Sequence, residues 1–309
     1  HTWLKTNPEF YTKNDQGAVI HPEGTDWTDT ADLNYDNEDL QTAMIADLKY
    51  WITEEGIDGY RCDVAGSVPT TFWEKAIPQL RAEKALFMLA EAWEPALLKE
   101  GLFDMVYAWE GHAIMNAIAK EDKGVKEWDE YVKKVNTDYE EDDILMNFIT
   151  NHDENSWNGT INERMKGAAE MLLALSYVAP GMPLIYSGQE YDLNHRLKFF
   201  EKDSIPKEKG NMWSLLEKLG KLKTSNPAMH GGKKAANYKK IATDNDNVLI
   251  FTREKEGQSV TFVANFSSKE QAVNNAIKGE YVNYMINEKI AFIKKEISLR
   301  PWEYMILTR

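Results

Sequence analysis

The sequence predicts an α/β fold, a parallel sheet or barrel, followed by a small antiparallel β domain. Short, nearly continuous apolar runs alternate with helical stretches over the first part of the chain. Beyond residue 227 the texture changes to alternating strands joined by tight turns. The first pattern belongs to parallel α/β architecture, the second to antiparallel sheets.

Residues 1–36, rich in Pro, Gly, Asn and Asp, carry no sustained period and read as loop. From residue 37, NEDLQTAMIADLKYWITEEG places Leu40, Ala43, Met44, Asp47, Leu48 and Trp51 at helical spacing. Asn37 or Asp36 is the expected N-cap and Gly56 the stop. The segment GIDGYRCDVAG (56–66) then supplies a strand, and ALFMLAEAW (85–93), DMVYAWE (104–110) and ILMNFITNHD (144–153) supply three more. A last buried run, MPLIYSGQE (182–190), follows Pro180-Gly181. Helices are expected in FWEKAIPQLRA, EGHAIMNAIAKE, INERMKGAAEMLLALSYV and the amphipathic NMWSLLEKLGKLKTSNPAM. Five strands are too few to close an eight-stranded barrel.

In the C-terminal part, NVLIFTREKEGQSVTFVANFSS reads as two strands joined across Glu256-Gly257, and YVNYMINEKIAFIKKEISLRPWEYMILTR provides several more. The expected division is therefore 1–226 and 227–309. The charged stretches EKDSIPKEKG and GGKKAANYKK read as solvated loops.

Composition narrows the function. Lys+Arg 36 against Asp+Glu 50 gives a net charge of −14, a field that repels nucleic acid and anionic membrane surfaces. No apolar run is long enough to span a bilayer. The single cysteine, Cys62, excludes an intrachain disulfide and a Cys-based zinc site. No Gly-rich phosphate loop or G-x-S-x-G is present, which removes nucleotide and serine-hydrolase chemistry.

What remains is a set of carboxylates. Side chains alternate along a strand, so Arg61 and Asp63 share one face while Tyr60, Cys62 and Val64 take the other. Alone, such a pair reads as a structural ion pair. However, Glu91 closes LFMLAE and Asp153 closes NFITNHD in the same manner. In parallel α/β folds the carboxyl ends of strands carry the site, so three acids are expected in one mouth.

Two carboxyl groups flanking a glycosidic bond are the minimum for glycoside hydrolysis. Arg61 would keep Asp63 ionised for attack, and an apolar, Trp93-flanked setting would raise the pKa of Glu91 so that it can protonate the leaving oxygen. Asp153 could bind sugar hydroxyls and stabilise positive charge. Trp93, Trp109 and Trp157 could stack on glucose rings or fill the core. His112, His195 and His230 have no metal-ligand spacing and read as loop or helix-surface histidines.

GYRCD (59–63), LAEAW (89–93) and NHD (151–153) resemble three signature regions of the α-amylase family of retaining glycoside hydrolases. ADLNYDN (31–37) is similar to that family's short motif after the third barrel strand, and PGMPLIYSGQE (180–190) to its eighth strand. The resemblance implies an incomplete (β/α)8 TIM-type barrel lacking its first strands, with 1–36 a loop remnant after the third. It implies Asp63 as nucleophile, Glu91 as general acid/base and Asp153 as transition-state stabiliser, with Arg61 and His152 positioning the nucleophile and the sugar hydroxyls. The implied substrate is an α-glucan, starch or maltooligosaccharide, cleaved at α-1,4 bonds with retention.

A cyclodextrin- or α-1,6-directed hydrolase, a transglycosylase and a weak or inactive glucan-binding protein remain alternatives. Val64-Ala65-Gly66-Ser67 stands where many α-amylases carry a Lys-His pair, which leaves bond specificity open. No cofactor is required. Calcium is an option for the acidic run Asp26–Asp39, but the run lacks an EF-hand's glycine at position six and has Ala43 at position twelve, so it reads more simply as solvated loop and helix start. An open barrel is expected to pair with a second copy as a homodimer that covers its exposed side. Polymeric starch is met outside the cytoplasm, which favours an extracellular or periplasmic setting.

Overall fold

A computed structural model of the chain describes residues 1–274, 277–293 and 296–309. It comprises two compact units, residues 1–106 and 107–309.

In the first unit the expected loop at the start is partly ordered. Helix α1 (Trp3–Thr6) and a 3-10 turn at Pro8–Phe10 lead to Phe10 and Tyr11, which pack on Leu40 in a small core. Helix α2 (Glu38–Thr53) is capped by Asn37, whose side chain accepts from the Asp39 and Leu40 amides at 2.9 and 3.1 Å. Its buried residues are Leu40, Ile45 and Ile52, whereas Trp51, expected on the inner face, is 52% exposed. Met44-Ile45 and Trp51-Ile52 offer two apolar stripes about 100° apart, and packing selects the isoleucines.

Strands β1 (Gly59–Cys62) and β2 (Phe87–Ala90), separated by α3 (Thr70–Glu83), pair in parallel from Gly59↔Phe87 to Cys62↔Ala90. Gly59 is obligatory, because a Cβ there would lie 1.9 Å from the Phe87 carbonyl oxygen. Strand β3 (Met105–Tyr107) pairs with β2 through Leu89↔Met105 and Ala90↔Val106.

The second unit continues the alternation with α4 (Trp109–Ala119), α5 (Val125–Asp138), β4 (Leu145–Asn147), α6 (Ile161–Met165), α7 (Ala169–Val178), β5 (Met182–Pro183) and α8 (Asn211–Ser225). Strands β4 and β5 are parallel. Helix α5 has no counterpart in the sequence expectation, and the single helix expected over 161–178 breaks at Lys166, which has φ 46°. The run at 182–190 is less buried than expected, with Met182 42% and Ile185 46% exposed. Its strand is two residues long, and Pro183 brings no N–H to a ladder.

The antiparallel part follows as β6 (Lys239–Lys240), β7 (Val248–Lys255), β8 (Gln258–Asn265), β9 (Gln271–Asn274), β10 (Gly279–Asn283), β11 (Glu288–Phe292), β12 (Glu296–Leu299) and β13 (Tyr304–Thr308). The sheet order is β11-β10-β13-β8-β7-β6, with β12-β9 as a second sheet. Strand β6 lies inside a stretch expected to be loop and pairs with β7. The β7–β8 hairpin turns on Glu256 (φ 52°) and Gly257 (φ 77°), the positive dihedrals that a two-residue turn needs to match strand twist. Leu249 and Phe251 point into the α7–α8 core while Val248 and Ile250 point towards β9 and β12, so β7 is buried on both faces. Lys294 and Lys295, within the expected strand-rich tail, lie outside the described residues.

The parallel strand–helix alternation is that of an incomplete (β/α)8 barrel, followed in the chain by an antiparallel β domain.

Candidate active site

The parallel ladder of β1 and β2 extends past both strand ends. The Glu91 amide donates to the Cys62 carbonyl at 2.9 Å and the Ala65 amide to the Glu91 carbonyl at 3.2 Å. Asp63 and Glu91, each the first residue after its strand, therefore lie side by side. Between them sits Arg61: Nη1 pairs with Asp63, and Nη2 is 2.9 Å from Glu91 Oε1. The expectation that Arg61 serves Asp63 thus captures half of its role, since one guanidinium fork holds both carboxyl groups.

The two acids differ in solvation. The Asp63 side chain is 72% exposed and that of Glu91 14%. Burial pushes the Glu91 carboxyl above the usual range. The Val64 amide and the Arg61 charge pull it down, and the charge and hydrogen bond of Asp63 push it up again. The expected direction holds. Its main source is burial, and the Trp93 ring is itself 58% exposed.

Val64 is the functional backbone group that the sequence does not announce. It sits in the left-handed region at φ 46°, ψ 40°, an unusual conformation for a β-branched residue, and its N–H donates to Glu91 Oε2 at 2.8 Å. The strained turn fixes one Glu91 oxygen while Arg61 fixes the other.

In the second unit Asp153 lies six residues beyond β4 instead of closing a strand. It stands at the start of a π turn, Glu154–Asn158. His152 Nε2 is 3.3 Å from Asp153 Oδ2. Burial, and then the Asp153 charge, raise the pKa of Tyr186, which places that phenol in the same field.

The π turn is anchored from beneath by groups that sequence reasoning missed. His112 is buried, not on the helix surface as expected. Its Nε2 lies 3.0 Å from Glu154 Oε2, its Nδ1 lies 3.0 Å from the Phe148 carbonyl, and its ring stacks on Phe148. Arg164 Nη1 is 3.4 Å from Glu154 and donates to Asn116 Oδ1 at 2.6 Å, while Nη2 donates to the Ile149 carbonyl at 2.8 Å. Burial pushes Glu154 up, but His112, Arg164 and Asn158 together outweigh it and leave the carboxyl below its usual range.

Of the other rings singled out, Trp109 stacks on Tyr107 and meets Phe148 edge-on, a packing role, whereas Trp157 is 56% exposed. Among the described residues no group of three or more His, Cys, Asp and Glu side chains is placed to hold a metal ion. Among the described residues no helix is long and apolar enough to cross a membrane.

Strand-end carboxylates on a parallel β/α scaffold, one exposed and one buried with its pKa raised, are the kind of arrangement found in barrel glycosidases. The pattern described as alpha amylase, catalytic domain, matches residues 25–243, and that of the maltogenic amylase C-terminal domain matches 238–306. The chain belongs to the alpha-amylase family.

It is 24% identical to alpha-amylase 3 of Dictyoglomus thermophilum, over 91% of this chain and 64% of that protein. It is 23% identical to an alpha-amylase of Haloarcula japonica, over 83% and 39%, and 25% identical to a cyclomaltodextrinase of Thermoanaerobacter pseudethanolicus, over 79% and 43%. The chain thus spans between 39% and 64% of the length of these curated relatives. Among solved structures, a maltogenic alpha-amylase from Thermotoga neapolitana superposes with a TM-score of 0.86 at 24% identity, covering 100% of this chain and 74% of that one. An alpha-amylase from Lactobacillus plantarum gives 0.85 at 22%, covering 99% and 74%. These superpositions establish the shared fold.

Proposed function

We propose that the chain carries the catalytic acids of a retaining α-glucan hydrolase acting on α-1,4 bonds of starch or maltooligosaccharides. The observation that carries this reading is the Asp63–Arg61–Glu91 arrangement: two neighbouring carboxyl groups held by one guanidinium, one exposed and one buried with a raised pKa. Exposed and paired with Arg61, Asp63 attacks the anomeric carbon. Glu91, whose pKa burial raises, gives its proton to the departing glycosidic oxygen, and as a carboxylate it then activates the water that releases the sugar. Asp153 and His152 bind sugar hydroxyls and offset the positive charge that develops at the ring. Trp93, exposed just past Glu91, offers a ring face to a glucosyl unit.

The catalytic-domain match runs to residue 243 and the C-terminal-domain match starts at 238, which supports a catalytic part followed by a C-terminal β domain without fixing the 226/227 division. Cyclomaltodextrinase and cyclomaltodextrin glucanotransferase among the relatives favour a second reading within the same chemistry, action on cyclic glucans or glucosyl transfer. Reducing-sugar release from soluble starch by this chain, beside an Asp63→Asn control, tests the proposal. Release that vanishes in the control is expected; release of equal size from both proteins would sink the assignment.

A further inference from the structure

Outside the acids, the described surface of the second unit carries three exposed aromatic rings in one cluster. Trp157 is 56%, Phe199 43% and Phe200 73% exposed. Their centroids lie 5.0 Å (Trp157–Phe199), 4.9 Å (Phe199–Phe200) and 6.1 Å (Trp157–Phe200) apart. Phe199 also stacks with His152 at 6.3 Å, so the cluster is continuous with the His152–Asp153 edge. Leaving such rings in water is unfavourable unless a ligand covers them.

We propose that Trp157, Phe199 and Phe200 form a platform for a glucosyl unit of the α-glucan chain, separate from the unit being cleaved. The surroundings favour a sugar over an apolar ligand. A cavity of about 290 Å³ at the foot of Phe199 is lined by His152, Ser156, Tyr186, Lys198, Glu201 and Asp203, among other residues. A pyranose presents an apolar face to stack and a rim of hydroxyls to bond, and this surface offers both partners. Three rings are too small a patch for a stable protein interface, which buries about 800 Å² on each side.

The rings stand on a support that is already tied down. The Asn155 side chain bonds both ways with the loop, donating to the His195 carbonyl at 3.2 Å and accepting the Leu197 amide at 2.8 Å. Ser156 Oγ donates to the Leu197 carbonyl at 2.7 Å, and Arg196 grips Glu163 at 3.1 Å. Asp203 accepts the Lys198 amide at 3.0 Å, closing a tight turn around the two phenylalanines. Where the loop ends, Asp192 accepts the Asn211 and Met212 amides at 2.7 and 2.8 Å. Binding on such a platform orders little chain, so stacking energy appears directly as affinity.

The identity of the ligand rests on the α-glucan reading above, and the test separates the two. Binding of maltoheptaose and maltotriose is measured by calorimetry on the full chain carrying Asp63→Asn, with and without Trp157→Ala and Phe200→Ala together. The expected result is a maltoheptaose Kd weakened about tenfold by the double substitution, a smaller change for maltotriose, and an unchanged thermal midpoint, because both rings are exposed. Equal maltoheptaose affinity in both proteins would overturn the platform while leaving the catalytic proposal intact. Ring-dependent binding in the Asp63→Asn background, together with no sugar release by the parent chain carrying Asp63, would support the platform and overturn the catalytic proposal.

Discussion

The acids of the two units are held in different ways. Asp63 and Glu91 are placed by backbone: a parallel ladder carried past two strand ends, a glycine that lets β1 approach Phe87, and a strained Val64 whose amide takes a Glu91 oxygen. Asp153 is placed by side chains. It follows a buried segment outside any strand and starts a π turn whose Glu154 is gripped by His112 and Arg164. The first arrangement tolerates changes around it so long as the strands pair. The second depends on every member of a buried charged cluster, since removing one partner leaves an uncompensated charge inside the protein.

That contrast predicts where substitutions act. The largest effect falls on the backbone-held pair: Glu91→Gln lowers kcat on starch about 10²- to 10⁴-fold without lowering the thermal midpoint at pH 8, because burial already disfavours the charged form of this carboxyl. Steady-state rates and a melting curve on one preparation check both parts.

Next comes the side-chain-held acid. Arg164→Met destabilises the fold by about 3 kcal/mol, read by urea denaturation. The depressed pKa of Glu154 adds a pH signature. Its contribution is fully present above the pKa of an unfolded glutamate and is lost as pH falls through the lower folded value. Glu154→Gln should therefore flatten acid unfolding relative to the parent; an unchanged acid limb would mean that the cluster does not hold the turn.

The smallest effect sharpens the comparison at Arg61. Its charge lowers the Glu91 pKa against the upward push of burial, so Arg61→Gln raises that pKa. The alkaline limb of kcat/KM, where the acid loses its proton, moves to higher pH on a reduced maximal rate. A limb that stays in place would show that Arg61 serves Asp63 alone.

How much was legible follows the same division. Asp63 and Glu91 could be read because a strand's period of two and its carboxyl end are written in local sequence, as were the Asn37 cap and the Glu256-Gly257 turn. Asp153 was found by its neighbours in NHD, but its position beyond the strand was not, since β4 stops at Asn147 and residues 148–151 are buried without being strand. His112 was misread as a surface residue because its partners are Phe148 and Glu154, more than thirty positions away, and no local pattern marks a contact of that range. The left-handed Val64 carries no signal either: valine is among the residues least expected there. The α2 face went astray where two adjacent apolar pairs offered competing stripes, which only packing decides.

The central claim is that Asp63 attacks while Glu91 manages the proton. A fluorinated α-maltosyl fluoride, which slows release of the glycosyl-enzyme, followed by peptide mass mapping, tests it most directly. The account predicts one glycosyl adduct on the peptide containing Asp63, lost in Asp63→Asn. An adduct on Glu91 would contradict it, as would active hydrolysis that leaves no adduct and inverts the anomeric centre.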